Sequence, residues 1–289
     1  MGAGTRNDEG TVHARHELLG GKFQGFCVPP GYIPVVLGLP EEVPDTAGTQ
    51  TGVENAAVNA YKAVEALVGD LPKNDKKLIA KLSFTGIDPY HDVGSQTRVL
   101  AIDQGYDDRG SRPVANSPDP MWEVVEGGWY GWPDFVAGEP ITSPRFRPLG
   151  KPQPEFVLAT HPPLAGRPIV EFPPHWATMK FGSSTNPRFG FVGEAFVAQL
   201  SSGAPVTGRP RGLPGFKVVR VNLETREIND FLVVNHPGPD GTGPARPVDA
   251  KLDPFGDNLH IVDFGVLEAN LSGIVPWARS GALWRISRG

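Results

Sequence analysis

From residue 97 onward, short apolar runs recur between polar breaks. The series is "RVLAI", "PMWEVVEG", "GEAFVAQL", "GFKVVRVNL", "NDFLVV", "PVDAKLD", "NLHIVDFG" and "GALWRI". Each is rich in Val, Ile, Phe or Trp and is bracketed by Gly, Pro, Asn or Asp, which predicts strands closed by turns. In "GFKVVRVNL", Phe216, Val218 and Val221 fall among Lys217, Arg220 and Asn222. That mixed period allows burial on both faces. The N-terminal third has another rhythm. Val53, Ala56, Ala57, Ala60, Tyr61, Val64 and Leu67 recur at three- and four-residue spacing, with Thr51 and Glu54 placed as a capping box and Gly69 as a stop. The pattern predicts an amphipathic helix over 52–68.

Proline divides the remainder. Ten prolines lie between residues 139 and 174, and a residue without an amide hydrogen cannot donate to a sheet ladder. This region is expected to be a long surface excursion holding one short strand, "PEFVLAT", with Arg145, Arg147, Lys151 and Arg167 in solvent. Residues 1–27 read as a poorly ordered segment, 28–94 as a divergent region containing an opening strand and the helix, and 95–289 as the repeated strands.

Two of the runs end alike. "RVLAIDQG" (98–105) and "NLHIVDFG" (258–265) both finish in Asp, a variable residue and Gly, so Asp103 and Asp263 hold equivalent places. About twenty residues after each comes a strand with Trp near its start, Trp122 or Trp284, and "AFVAQLSSG" with "GFKVVRV" forms a weaker third copy. Strand, polar loop and strand, recurring at intervals of roughly 60 to 100 residues, suit a radial array of antiparallel sheets, a β-propeller. A sandwich would not require the repeated ending.

A net charge of −5 in 289 residues offers no long-range attraction for nucleic acid or an anionic bilayer. No apolar run reaches the ~20 residues of a membrane span, and the first residues lack the apolar core of an export signal. The single cysteine, Cys27, cannot close an intrachain disulfide and is expected to pack as a small hydrophobe. Cellular location stays unread.

The decapeptide "AIDQGYDDRG" gathers Asp103, Asp107, Asp108 and Arg109 around Gln104, Gly105 and Tyr106. Read from its residues alone, it is either an Asx-type turn closing a strand or the rim of a cation site. With "EGGWYGWPDF", "FGFVGEAFVAQ", "GFKVVRVNLETREINDFL", "RPVDAKLDPFGDNLHIVDFG" and the terminal "LWRISR", in this order, it resembles the soluble glucose/sorbosone dehydrogenase family. The resemblance spans about residues 95–289, with "VPPGYIPVVLGLP" resembling the family's opening strand.

That family implies an all-β fold, a six-bladed β-propeller, here shortened and preceded by one helix. It implies pyrroloquinoline quinone (PQQ) and calcium as cofactors, and hydride transfer from a small aldose or aldehyde-type sugar to the quinone. By resemblance Gln104 contacts the cofactor, and Gly105 and Tyr106 offer carbonyl oxygens to calcium. Tyr106 stands where relatives carry proline. Arg246 takes the place of the first of two arginines that grip the quinone's carboxylates, while Val248 stands at the second. Relatives live in the periplasm or outside the cell.

The family's general base is a histidine, and no histidine here is assigned that role. His91, in "DPYHDVG", lies outside the matching motifs, and His175, in "FPPHWATMKFGSS", corresponds to a loop near the substrate. His13, His16, His161, His236 and His260 have no supporting context. Two other readings stand beside the dehydrogenase. One is a calcium-dependent lactone hydrolase with Glu123, Glu126 and Asp263 as candidate carboxylates; the other is a non-catalytic propeller fragment. Fewer blades than a closed ring leave a sheet edge that a second copy of the chain could cover.

Overall fold

The computed structural model describes residues 5–6, 12–13, 26–38, 84–91, 97–208, 215–234, 244–270, 273–278 and 280–289. The helix expected over 52–68 lies outside them, as does most of the N-terminal segment.

The described residues are all-β, with a single 3-10 turn at Pro144–Phe146, and they form three principal antiparallel sheets. One has the order β10 (Val170–Phe172), β7 (Asp119–Val124), β6 (Thr97–Asp103), β5 (Phe84–His91). The next runs β11 (Thr178–Ser183), β12 (Glu194–Gln199), β13 (Lys217–Asn222), β14 (Ile228–Val234), β3 (Phe26–Cys27). The third runs β1 (Thr5–Arg6), β2 (Val12–His13), β4 (Tyr32–Gly38), β19 (Ala282–Arg288), β16 (Asn258–Asp263), β15 (Pro247–Leu252). Two hairpins, β8 (Phe135–Val136) with β9 (Glu139–Pro140) and β17 (Leu267–Asn270) with β18 (Gly273–Pro276), stand apart.

The sheet of β11 to β14 is central, and its strands point apolar residues both ways. Phe196, Ala198 and Val218 pack with Leu259, Ile261, Trp284 and Ile286 of the third sheet. Ala195, Val197, Val219 and Val221 pack with Leu100, Ile102, Met121 and Phe172 of the first. Burial on both faces removes the strict alternation of a half-exposed strand, which is the physical origin of the mixed period in "GFKVVRVNL". The leading strands β5, β11 and β15 abut. Gly182 lets β11 and β15 come close, since a Cβ there would meet the Ala250 carbonyl oxygen at 2.7 Å. The far edges end in β10, β3 and β1, each of three residues or fewer, and such short strands offer little ladder to a second chain.

Strands distant in sequence are interleaved. β4 pairs with β19 over Tyr32–Gly38, and β3 pairs with β14. Tyr32 locks this arrangement: its hydroxyl donates to the Phe189 carbonyl at 2.6 Å, and its ring lies within 5.7 Å of Phe189, Phe191 and Phe231.

The proline-rich excursion differs from expectation. No strand forms at 154–160. The N–H groups of Val157 and Leu158 donate instead to Asp134 Oδ1 and Oδ2, at 2.8 and 2.7 Å, so no ladder can use them. The same carboxylate takes Arg112 Nη2 at 2.6 Å and His161 Nε2 at 3.0 Å. His161 stacks on Trp129 and meets Phe135 and Phe156 edge-on. The excursion's one strand in a principal sheet is β10, which extends the first sheet beside β7.

Candidate functional site

Loops from all three sheets converge on one cavity of about 190 Å³. After β6 the chain contributes Gln104, Gly105 and Tyr106; before β11 and after β12 come His175, Ala177 and Ser201; before β15 comes Arg246. The four residues that the resemblance assigned to the cofactor and the metal, Gln104, Gly105, Tyr106 and Arg246, line this one cavity.

The loop after β6 is held by side chains beneath it. Gly105 N–H donates to Asp119 Oδ1 at 2.8 Å and Tyr106 N–H to Ser117 Oγ at 2.7 Å. Asp119 Oδ2 also accepts the Thr178 N–H at 2.8 Å, tying this loop to the first residue of β11. The Tyr106 hydroxyl donates to the Pro133 carbonyl at 2.7 Å, and the Gln104 amide nitrogen contacts Met179 Sδ at 3.0 Å. Gly105 permits the close approach: a Cβ would lie 2.5 to 2.6 Å from the carbonyl oxygens of Pro118 and Ser117. Burial, and then the neighbouring Asp119 charge, push the Asp103 carboxyl up to about 7. Burial also raises Asp119, to about 6, against the N–H groups of Gly105 and Thr178.

The repeated Asp-x-Gly ending has two different physical bases. In the copy at 263–265, Asp263 Oδ1 accepts the Gly265 N–H at 2.9 Å, a local turn in which Gly265 has φ +89. In the copy at 103–105 the glycine N–H is taken by Asp119 instead.

Arg246 is placed by its backbone. Asp263 accepts the N–H of Ala245 at 2.9 Å and of Arg246 at 2.7 Å. The guanidinium lies over the Phe216 ring at 4.6 Å and donates from Nη1 to the Leu200 carbonyl at 3.3 Å. No carboxylate lies within ion-pair distance of it among the described residues. Burial lowers its pKa to about 10, against the opposing charge of Asp263. Arginine carries five N–H donors, so a half-buried guanidinium with one carbonyl partner is arranged to receive an anion.

His175 is the residue that the sequence left unassigned. Its side chain is 4% exposed and its Nε2 lies 3.3 Å from Asp108 Oδ1. It has φ +65, and Ala177, Ser201 and Phe216 have φ +47, +95 and +53. Four non-glycine residues in the left-handed region around one cavity, three lining it and one beneath Arg246, mark stored strain of order 1–3 kcal/mol each. The strain is held by bonds that cross the cavity wall, Leu200 N–H to the Ala177 carbonyl at 3.1 Å and Ser201 N–H to the Trp176 carbonyl at 3.0 Å. No spacing rule signals a positive φ at a histidine; the visible hints were the resemblance of its loop to one near the substrate and the membership of Asp108 in the acidic decapeptide.

The carboxylates considered for a hydrolase do not meet. Glu123 pairs with Arg98 at 2.7 Å on an exposed face, Glu126 is exposed, and Asp263 is spent on backbone N–H groups. Among the described residues no three His, Cys, Asp or Glu side chains are grouped to hold a metal ion.

No protein-family model matches the sequence, and no curated protein matches it. Solved structures do resemble it. A glucose dehydrogenase aligns with 69% of this chain and 42% of its own at 15% identity and a TM-score of 0.39. The PQQ domain of pyranose dehydrogenase from Coprinopsis cinerea, in its holo form, aligns over 90% and 68% at 16% identity and a TM-score of 0.40. The calcium structure of a Trichoderma reesei carbohydrate-active enzyme of family AA12 aligns over 90% and 66% at 15% identity and a TM-score of 0.44. The chain thus spans 42% of the length of the glucose dehydrogenase.

Proposed function

We propose that the cavity between the Gln104–Tyr106 loop and Arg246 binds PQQ with calcium, and that the protein oxidises an aldose or related sugar. The observation that carries this reading is the convergence of Gln104, Gly105, Tyr106 and Arg246, from different sheets, on one cavity. The ordered motifs from Asp103 to Arg288 give the cofactor its identity through their resemblance to the glucose/sorbosone dehydrogenases.

The residues fit such a group. Arg246 has donors to spare and no carboxylate partner among the described residues, which suits a ligand carboxylate. The Gly105 and Tyr106 carbonyls suit a hard cation that takes six to eight oxygens. When bound, the quinone supplies a hydride acceptor whose carbonyl the calcium polarises. The protein's own part is positioning and proton transfer. His175, whose Nε2 stands 3.3 Å from Asp108 Oδ1, is the side chain placed to take the hydroxyl proton as the sugar is oxidised. Buried His175 and the strained walls at Ala177 and Ser201 hold that geometry without reorganisation.

The test is an absorbance titration of the purified chain with PQQ in calcium, followed by aldose-dependent dye reduction. Binding that weakens about ten- to a hundredfold in Arg246→Ala, the loss of a charged hydrogen-bond partner, supports the reading. Absence of any cofactor binding overturns it.

A further inference from the structure

A β-bulge lies where the second sheet borders the first. β11 pairs with β12 as Thr178↔Gln199 and then as Phe181↔Val197, so Met179 and Lys180 stand against the one residue Ala198. Such an insertion turns a side chain out of the regular alternation, and it recurs beside functional sites. Met179 accordingly belongs to neither of the apolar clusters that flank the second sheet, and β11 abuts β5 and β6 on this side.

Its sulfur meets a polar group instead. Gln104 Nε2 lies 3.0 Å from Met179 Sδ. Gln104 lines the cavity that Arg246 also lines, and Met179 does not. Met179 therefore reaches the site only through the Gln104 amide, as a positioning residue.

A thioether is a weak acceptor that oxidants convert to a sulfoxide. Of the chain's three methionines, Met121 is 0% exposed and Met1 lies outside the described residues, whereas Met179 is partly exposed. The sulfoxide oxygen adds a bond of about 1.5 Å and then needs ~2.7–3.2 Å to an N–H donor. Sulfur and nitrogen 3.0 Å apart leave no room for both, even in a bent arrangement. In one epimer the oxygen pushes the amide back. In the other, the amide swings away from sulfur to reach the better acceptor. Gln104 leaves its present place in both.

We propose that Met179 is a reversible oxidation site that controls the placement of Gln104. Hydrogen peroxide delivers one oxygen atom to Sδ: the O–O bond breaks, an S–O bond forms, sulfur gives up two electrons and water leaves. Sulfoxide reductases reverse the step, with a dithiol as reductant and the oxygen released as water. Oxidation thus moves Gln104 and weakens the hold on the cofactor. The effect on the cofactor rests on the dehydrogenase reading; the movement of Gln104 does not.

The full chain, labelled with nitrogen-15, is treated with hydrogen peroxide, mapped by peptide mass, and then reduced with both methionine sulfoxide reductases and dithiothreitol. The side-chain NH2 signals missing from Gln104→Glu identify Gln104 in the wild type. Met179 is expected to gain one oxygen before Met121 does, and the Gln104 signals should shift on oxidation and return on reduction. PQQ affinity in calcium should fall about tenfold, the scale of one lost hydrogen bond, and recover with them. Met179→Leu has no sulfur at this position and should keep its own affinity through the same treatment, while Met179→Gln should bind as weakly as the oxidised wild type without any peroxide. Oxidation of Met121 ahead of Met179, unmoved Gln104 signals at full Met179 oxidation, an unchanged PQQ affinity, or an equal loss in peroxide-treated Met179→Leu overturns the proposal. Gln104 signals that shift in a chain binding no PQQ before or after peroxide sink the dehydrogenase reading and keep the oxidation site.

Discussion

Asp263 and Arg246 are joined through the backbone: the Arg246 N–H donates to Asp263 Oδ1 at 2.7 Å. The carboxylate therefore sets where the guanidinium stands without neutralising it at close range. Ala245 and Gly265 add two further N–H donors to the same carboxylate.

Asp263→Ala leaves those buried N–H groups without an acceptor. The expected loss is about 3 kcal/mol or more in urea unfolding, following from 1–3 kcal/mol for each unmet buried group. Asp263→Asn, which keeps one acceptor oxygen, should lose less, and if Arg246 grips PQQ as proposed, both variants should bind it more weakly than the wild type.

Gly105→Ala introduces a Cβ 2.5 to 2.6 Å from backbone carbonyl oxygens of Ser117 and Pro118. Neither is a flexible side-chain tip, so the loop itself must move. Overpacking of this kind costs about 1–3 kcal/mol, and if the loop holds calcium as proposed, calcium should raise the melting temperature less in this variant than in the wild type.

Asp134 predicts the acid behaviour of the proline-rich excursion. The N–H groups of Val157 and Leu158, with His161 and Arg112, hold its carboxyl well below the usual range despite burial. A lowered folded-state pKa means that the unfolded chain binds the proton more readily. The contribution is thus complete above about pH 4, the ordinary carboxylate value, and is lost as pH falls below it. Asp134→Asn should be less stable than wild type at pH 7, and the gap should narrow toward pH 3 in a thermal melt series.

Tyr32→Phe removes the hydroxyl that donates to the Phe189 carbonyl and keeps the ring contacts. A loss of about 1 kcal/mol is expected in chemical unfolding. Tyr32→Ala also empties the space among Phe189, Phe191 and Phe231, at about 3–5 kcal/mol for a buried aromatic.

The strand series was readable because each strand carries its own apolar run between turn residues; Lys217–Asn222 and Asn258–Asp263 need no knowledge of their neighbours to be recognised. The residues 154–160 misled for the opposite reason. "PEFVLAT" has strand-like composition, but its N–H groups are claimed by Asp134, more than twenty positions upstream, and a bond between distant side chain and backbone leaves no periodicity. At the site, Gln104, Gly105, Tyr106 and Arg246 came from ordered motifs. The resemblance set His175 in a loop near the substrate but gave it no role, because its placement depends on a left-handed backbone and on Asp108, neither of which has a spacing rule. Met179 drew no notice, since the bulge that re-aims it leaves no mark on the pattern of apolar positions.

The pairing of Tyr32–Gly38 with Ala282–Arg288 also sets an order of events during synthesis. The earlier strand leaves the ribosome at ~5–20 residues per second, so roughly ten seconds or more pass before its partner is made. Throughout that interval a stretch reading Ile33, Val35, Val36 and Leu37 has no ladder to join. Closing so large a loop is slow, and the yield of native protein should depend on chaperones that shield this segment until translation ends.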